Sequence, residues 1–144
     1  MKRLLVLSGP NLSLTGQRQP AVYGTAMLEE IVERARKAAA EAGWSLDHVA
    51  ADSEGPLIEA IHAARGKADA IVINPGALTH YAWSLADALD AFDGPVVEVH
   101  LSQPAGREPW RHTSVIAPVA VASISGLGPD GYELAVLAVA RMSS

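Results

Sequence analysis

The chain has 144 residues, 49% of them apolar and 19% charged, with a net charge of −5 and no cysteine. That length suits one domain, read as residues 1–144, with room for a real core. The acidic balance and the lack of any lysine or arginine run argue against a nucleic-acid or membrane partner, and a chain without cysteine has neither a disulfide framework nor a thiolate nucleophile. Residues 1–10 faintly resemble a signal peptide, but the apolar segment Leu4–Leu7 is only four residues, shorter than such a signal needs. No segment approaches a membrane span, and cytoplasmic residence is the expectation.

Leu4–Leu7 is a short continuous apolar run and reads as a strand buried on both faces. From Ser8 to Gly24 runs a connection of seventeen residues, where a strand-to-helix link usually takes about two to six. A loop that long is functional or disordered. Its prolines and glycines, with Leu12, Leu14 and Val22 interleaved, argue against disorder, and it carries Asn11, Arg18 and Tyr23. Thr25 stands where a helix N-cap is expected, with Glu29 and Glu30 in the first turns. Leu28, Ile31, Val32, Ala35, Ala39 and Ala42 share one face of that helix, which Gly43 ends.

Trp44–Ala51 reads as a second strand. Ser53 caps a second helix with Leu57, Ile58, Ile61 and Ala64 inward and Gly66 at its end. Ala68–Ile73 is a buried strand, Asn74–His80 a polar connection and Tyr81–Ala91 a third helix. Pro95–Val99 is a fourth strand, followed by the polar segment His100–His112. The fifth strand lies within Ser114–Ile124, toward a Val119–Ser125 end. Pro129 opens the last helix, with Leu134, Leu137, Ala138 and Met142 as its apolar positions. This alternation predicts an α/β fold, a parallel sheet covered by helices on both faces. The expected arrangement is a flavodoxin-like three-layer sandwich of five strands in the order 2-1-3-4-5, with right-handed crossovers.

In such sheets ligands bind beyond the carboxyl ends of the strands, where strand order reverses. Strands one, three and four would deliver Asn11, Asn74 and His100–Ser102 there, and the long loop can fold Arg18 and Tyr23 over the same crevice. A phenol ionises near pH 10 and is a poor base at neutrality, and a nearby arginine favours the phenolate. Alternatively Tyr23 simply packs its ring and Arg18 is solvated. Glu98 and His100 are two apart on a strand and face the same way. A carboxylate orients an imidazole and favours its protonated form, which makes His100 a candidate general acid. A purely structural Glu–His contact is the alternative.

His80 and Asp87, seven apart, can share a helix face and serve hydroxyl groups, or can respectively cap and face solvent. Arg107 and Arg111, four apart around Glu108 and Trp110, repel slightly. They suggest an anionic or hydroxyl-rich ligand, or a solvated pair. The chain has no dinucleotide fingerprint, phosphate loop, nucleophile elbow or metal-ligand spacing among His48, His62 and His112. Cofactor-free acid–base chemistry on a small polar anion remains.

Five segments together resemble the type II 3-dehydroquinate dehydratases: Ser8-Gly-Pro-Asn-Leu-Ser-Leu14, Gln17-Arg-Gln-Pro-Ala-Val-Tyr-Gly24, Asn74-Pro-Gly-Ala-Leu-Thr-His80, Glu98-Val-His-Leu-Ser102 and Arg107-Glu-Pro-Trp-Arg111. The match runs in order from about Leu4 to Tyr132. The resemblance implies dehydration of 3-dehydroquinate to 3-dehydroshikimate without cofactor or metal. It also implies a flavodoxin-like subunit in a homododecamer, a tetramer of trimers.

Carried over position by position, the resemblance makes Tyr23 the base at carbon 2, activated by Arg18. Asn11 stabilises the enolate through a water. His100, oriented by Glu98, is the acid that helps the carbon-1 hydroxyl leave. Asn74 and the Leu101 and Ser102 amides hold the substrate carboxylate, and His80 and Arg111 the ring hydroxyls. Asp87 contributes across a trimer interface, and Arg107 supports the loop side. Ser13, Gln19, Gln103 and Ala105 depart from residues common in the family, which bears on loop mobility and affinity. The same lyase in quinate breakdown, and a non-catalytic flavodoxin-like module binding a small anion, are the competing readings.

Overall fold

The computed structural model describes residues 1–23 and 26–143, with the side chain of Tyr23 outside that description. Five parallel strands are β1 (Lys2–Ser8), β2 (Trp44–Ala50), β3 (Ala70–Asn74), β4 (Val96–His100) and β5 (Ala122–Ser125), in the order β2-β1-β3-β4-β5. The helices are α1 (Pro20–Tyr23), α2 (Leu28–Glu41), α3 (Glu54–Ala64), α4 (Trp83–Asp90) and α5 (Gly131–Met142). The flavodoxin-like order expected from the alternation of elements is therefore the order observed.

Strand residues alternate between two cores, as the two-residue period of a strand requires. Leu4, Val6, Ala70, Val72, Val97 and Val99 pack under α2 and α5. Leu5, Leu7, Ile71, Ile73 and Val96 pack under α3 and α4. Both faces being covered is why Leu4–Leu7 of β1 and Ala70–Ile73 of β3 read as unbroken apolar runs.

Strand order reverses between β1 and β3, and there the two chains leave the sheet almost in contact. The Gly9 N–H donates to the Asn74 carbonyl at 2.8 Å. A Cβ on Gly9 would stand 2.5 Å from the Pro75 carbonyl oxygen, a clash with backbone that has nowhere to go. Gly76 takes φ +58, and its Cβ would meet the Pro10 carbonyl at 3.1 Å. Glycine at these two positions lets both loops cross the rim side by side.

Local expectations were met unevenly. Among its described residues the long loop holds a 3₁₀ turn (Leu12–Leu14) and the short α1. Of the three apolar residues expected to anchor it, Leu12 is buried, while Leu14 and Val22 are exposed. Helix α2 is capped by Met27 rather than Thr25, which lies outside the described residues, and Ala42 is its exposed C-cap. Ser53 is the N-cap residue of α3, without a side-chain cap bond. Residues 76–80 form a 3₁₀ turn, so the helix expected from Tyr81 begins only at Trp83.

Helix α5 buries the face opposite to the one expected from Leu134, Leu137, Ala138 and Met142. Tyr132, Ala135, Val136 and Val139 are buried, while Leu134, Leu137 and Met142 are exposed. Both stripes of that helix are apolar, so periodicity alone does not choose between them. Close approach decides. Gly131 sits where a Cβ would be 3.1 Å from Val99 Cγ2, and Tyr132 finds a hydrogen-bond partner inside at Ser8.

Candidate active site

A polar crevice of about 250 Å³ opens over the carboxyl ends of β1, β3 and β4. β3 and β4 contribute at their last residues, Asn74 and His100, and β1 through Asn11 in the loop that follows it. Asn11, Arg18, Asn74, His80, His100, Leu101, Ser102, Arg107 and Arg111 all line it. Two expected residues do not appear among its lining. Asp87 is exposed on the outer face of α4, and Glu98 stands behind His100. The side chain of Tyr23, the expected base, lies outside the described residues, although α1 carries its backbone beyond Arg18.

The centre of the site is a carboxylate clamp. Glu98 is 2% exposed, and a buried carboxylate must be well paired. His100 Nε2–H donates to Glu98 Oε2 at 2.6 Å. The Thr79 hydroxyl donates to the same oxygen, and Ser114 Oγ donates to Oε1 at 2.9 Å. Burial works to raise the Glu98 pKa, but the bonds from His100, Thr79 and Ser114 outweigh it and hold the carboxyl below the usual range. Glu98 thus stays ionised and fixes the imidazole, leaving Nδ1 as the nitrogen available for proton transfer. The sequence revealed the Glu–His pair but not Thr79 or Ser114. Thr79 lies within a quoted motif, whereas nothing local marks Ser114, which arrives from a distant loop.

His80 is held differently. Its Nδ1–H donates to the Thr113 carbonyl at 2.7 Å, and Trp110 meets its ring edge-on at 5.4 Å and 84°. That fixes the tautomer and leaves Nε2 as an acceptor suited to a hydroxyl. The helix face expected to join His80 to Asp87 does not exist, because the chain changes from a 3₁₀ turn to α4 between them.

Arg107 and Arg111 sit in 3₁₀ turns and loop, with Glu108 between them. Arg111 Nε donates to Glu108 at 3.1 Å and Arg107 Nη1 to Ser102 Oγ at 3.1 Å. Arg111 also lies 3.9 Å over the Trp110 ring. The expected mutual repulsion is therefore eased by Glu108, and both cations still border the crevice.

At the other rim, Asn11 adopts φ 66, a left-handed conformation that asparagine tolerates better than most residues. Its N–H donates to Asp52 Oδ1 at 2.9 Å. Asn74 is 2% exposed, and its Oδ1 accepts the Gly76 N–H at 3.1 Å, so its amide NH₂ is the end left to donate. The carbonyls of Leu101 and Ser102 accept from Gly128 and Gly126, which ties the β4 extension to the turn after β5.

A doubly wound sheet carrying an acid–base-equipped polar crevice at its reversal point defines a flavodoxin-like α/β enzyme scaffold for a small hydroxylated anion. Residues 2–140 match the family described as dehydroquinase class II, and the chain belongs to that family. A 3-dehydroquinate dehydratase from Corynebacterium efficiens is 50% identical over 134 residues, 93% of this chain and 89% of the relative. One from Pelotomaculum thermopropionicum is 47% identical over 141 residues, 98% of each chain. The crystal structure of a type II dehydroquinase from Propionibacterium acnes superposes with a TM-score of 0.93 at 40% identity, covering 98% of this chain and 97% of that one.

Proposed function

We propose that this chain, acting as one domain, is a hydro-lyase that converts 3-dehydroquinate to 3-dehydroshikimate and water. Its place would be in the shikimate pathway of aromatic biosynthesis. The observation that carries the reading is the Glu98–His100 clamp, an oriented acid at the rim of a crevice, in a chain of the dehydroquinase class II family.

In this mechanism Asn74 and the Leu101 and Ser102 amides take the substrate carboxylate, and His80 and Arg111 the ring hydroxyls. Tyr23, its phenolate favoured by the Arg18 guanidinium, removes a proton from carbon 2. The electron pair moves into the neighbouring carbonyl, and Asn11 stabilises the resulting enolate through a water. As the enolate collapses, the bond to the carbon-1 hydroxyl breaks, and His100 gives that oxygen the proton with which it leaves as water. The loop between β1 and α2 closes over the site and excludes bulk solvent. Arg107, tethered to Ser102, holds the opposite wall.

The deciding experiment adds 3-dehydroquinate to purified protein with a chelator present and follows ultraviolet absorbance. A new conjugated-enone band is the expected result. Substrate recovered unchanged would favour the non-catalytic anion-binding module instead.

The assembly proposed is a homododecamer, a tetramer of trimers, in the cytoplasm. Trp83 and Tyr81 are 74% and 64% exposed. Trp83 lies one helical turn from Asp87, a combination that suits a face covered by a neighbouring subunit. Asp87 would then reach the neighbour's crevice. Sedimentation at working concentration is expected to show a twelve-subunit species, and a stable monomer would remove Asp87 from the site.

A further inference from the structure

Beneath the crevice lies a buried polar group that the mechanism above does not use. Ser8 and Asn74 are partners in the β1–β3 register, so their side chains leave the sheet side by side on the face covered by α2 and α5. Tyr132, wholly buried, projects from α5 into the same place. Its hydroxyl lies 2.7 Å from Ser8 Oγ, and Ser8 Oγ lies 2.8 Å from His48 Nε2. Ser8 is itself 0% exposed. Asn74, next to Ser8 across the β1–β3 pair, is thereby brought beside the phenol, where its side chain favours the ionised form. The four groups therefore form one line from β2 to the floor of the crevice.

The donor count gives this line a direction. Asn74 Oδ1 is already taken by the Gly76 N–H, so the amide end facing the phenol is its NH₂, a donor. With its oxygen accepting from Asn74, the Tyr132 hydroxyl passes its proton toward Ser8, and Ser8 passes its own to His48 Nε2. A neutral imidazole accepts there. Burial, and then the Arg36 charge, depress the His48 pKa, with Glu29 opposing. Burial with these bonds pushes Tyr132 up to about 12, so the phenol keeps its proton.

We propose that Tyr132 and Ser8, with His48 as terminal acceptor, are positioning residues that set the rotation of the Asn74 amide. One amide proton is held by the phenol oxygen, and the other is aimed into the crevice at the substrate carboxylate. An amide fixed at both ends binds without first losing rotamer freedom. Without the phenol oxygen, Asn74 can turn about its χ2 and present oxygen to a carboxylate, which repels it. This rests on the carboxylate role given to Asn74 above.

The test compares Tyr132→Phe, Ser8→Ala and Asn74→Ala in the full-length protein. Tyr132→Phe is expected to raise KM for 3-dehydroquinate about three- to tenfold, the worth of one or two hydrogen bonds, with kcat within about twofold. Ser8→Ala should act the same way but less, since only the far end of the line is lost. Adding Tyr132→Phe to Asn74→Ala should produce no further loss. A KM unchanged in Tyr132→Phe, or additive losses in the double variant, overturns the relay. Absence of turnover in the wild-type protein would instead overturn the dehydratase reading. Crystal structures of wild type and Tyr132→Phe decide the relay independently of the reaction. The expected result is an Asn74 amide released from the Gly76 N–H in the variant, and an unmoved amide overturns the proposal.

Discussion

Replacing Tyr23 by phenylalanine is expected to lower kcat by about 10²–10⁴-fold, the range for loss of a positioned acid or base. The substitution removes one oxygen and keeps the ring, so folding and substrate affinity should change little. The physical problem the residue answers is that a ketone's neighbouring proton is weakly acidic and a neutral phenol is a weak base. A cation alongside makes the phenolate less costly, and Arg18 lines the crevice to which the loop belongs. Arg18→Gln should reduce kcat too, with the rate recovering as pH is raised toward the ordinary ionisation of a phenol. Steady-state kinetics across pH, with a thermal melt for folding, checks both. A Tyr23→Phe enzyme retaining more than a tenth of wild-type kcat assigns the base to another group.

The second large effect is expected at the Glu98–His100 clamp. His100→Ala removes the acid and should cost about 10²–10⁴-fold in kcat with a smaller change in KM. Glu98→Gln affects stability as well as rate. The carboxylate accepts from His100, Thr79 and Ser114. An amide puts a donor where an acceptor is needed, a loss of about 1–3 kcal/mol.

The pH dependence follows from the direction of the Glu98 shift. Its folded-state pKa lies below the ordinary value of 4.5, so folding favours the ionised form. The stability this contributes is fully present above pH 4.5 and is lost as pH falls through the folded value. Urea unfolding from neutral pH into acid should therefore show the gap between wild type and Glu98→Gln narrowing below that point. A gap constant across the range would mean that the carboxylate charge is not what the clamp stabilises.

The order of elements and the burial of the central strands were legible in the chain because both follow from local pattern. Leu4–Leu7 and Ala70–Ile73 are apolar on consecutive positions, which a strand covered on both faces requires. The reversal point of the sheet then places Asn11, Asn74 and His100 at one rim. Spacing also gave the Glu98–His100 pair, since residues two apart on a strand must point the same way.

The sequence did not mark what depended on matching surfaces far apart in the chain. Either stripe of α5 is apolar enough to be buried. The choice fell to Gly131 approaching Val99 and to Tyr132 reaching Ser8. Helical spacing between His80 and Asp87 was misleading because the backbone leaves α-helical geometry between them. Ser114 and Thr79 became ligands of Glu98, and His48 a partner of Ser8, only when separate loops and strands were brought within hydrogen-bonding reach. Periodicity reports which side of an element is apolar, whereas hydrogen-bond partners are set by packing in three dimensions. The sequence by itself thus determined the scaffold and the chemical types at its rim. The tertiary structure alone decided which polar groups clamp which, because a buried donor or acceptor must find its complement wherever the fold puts one.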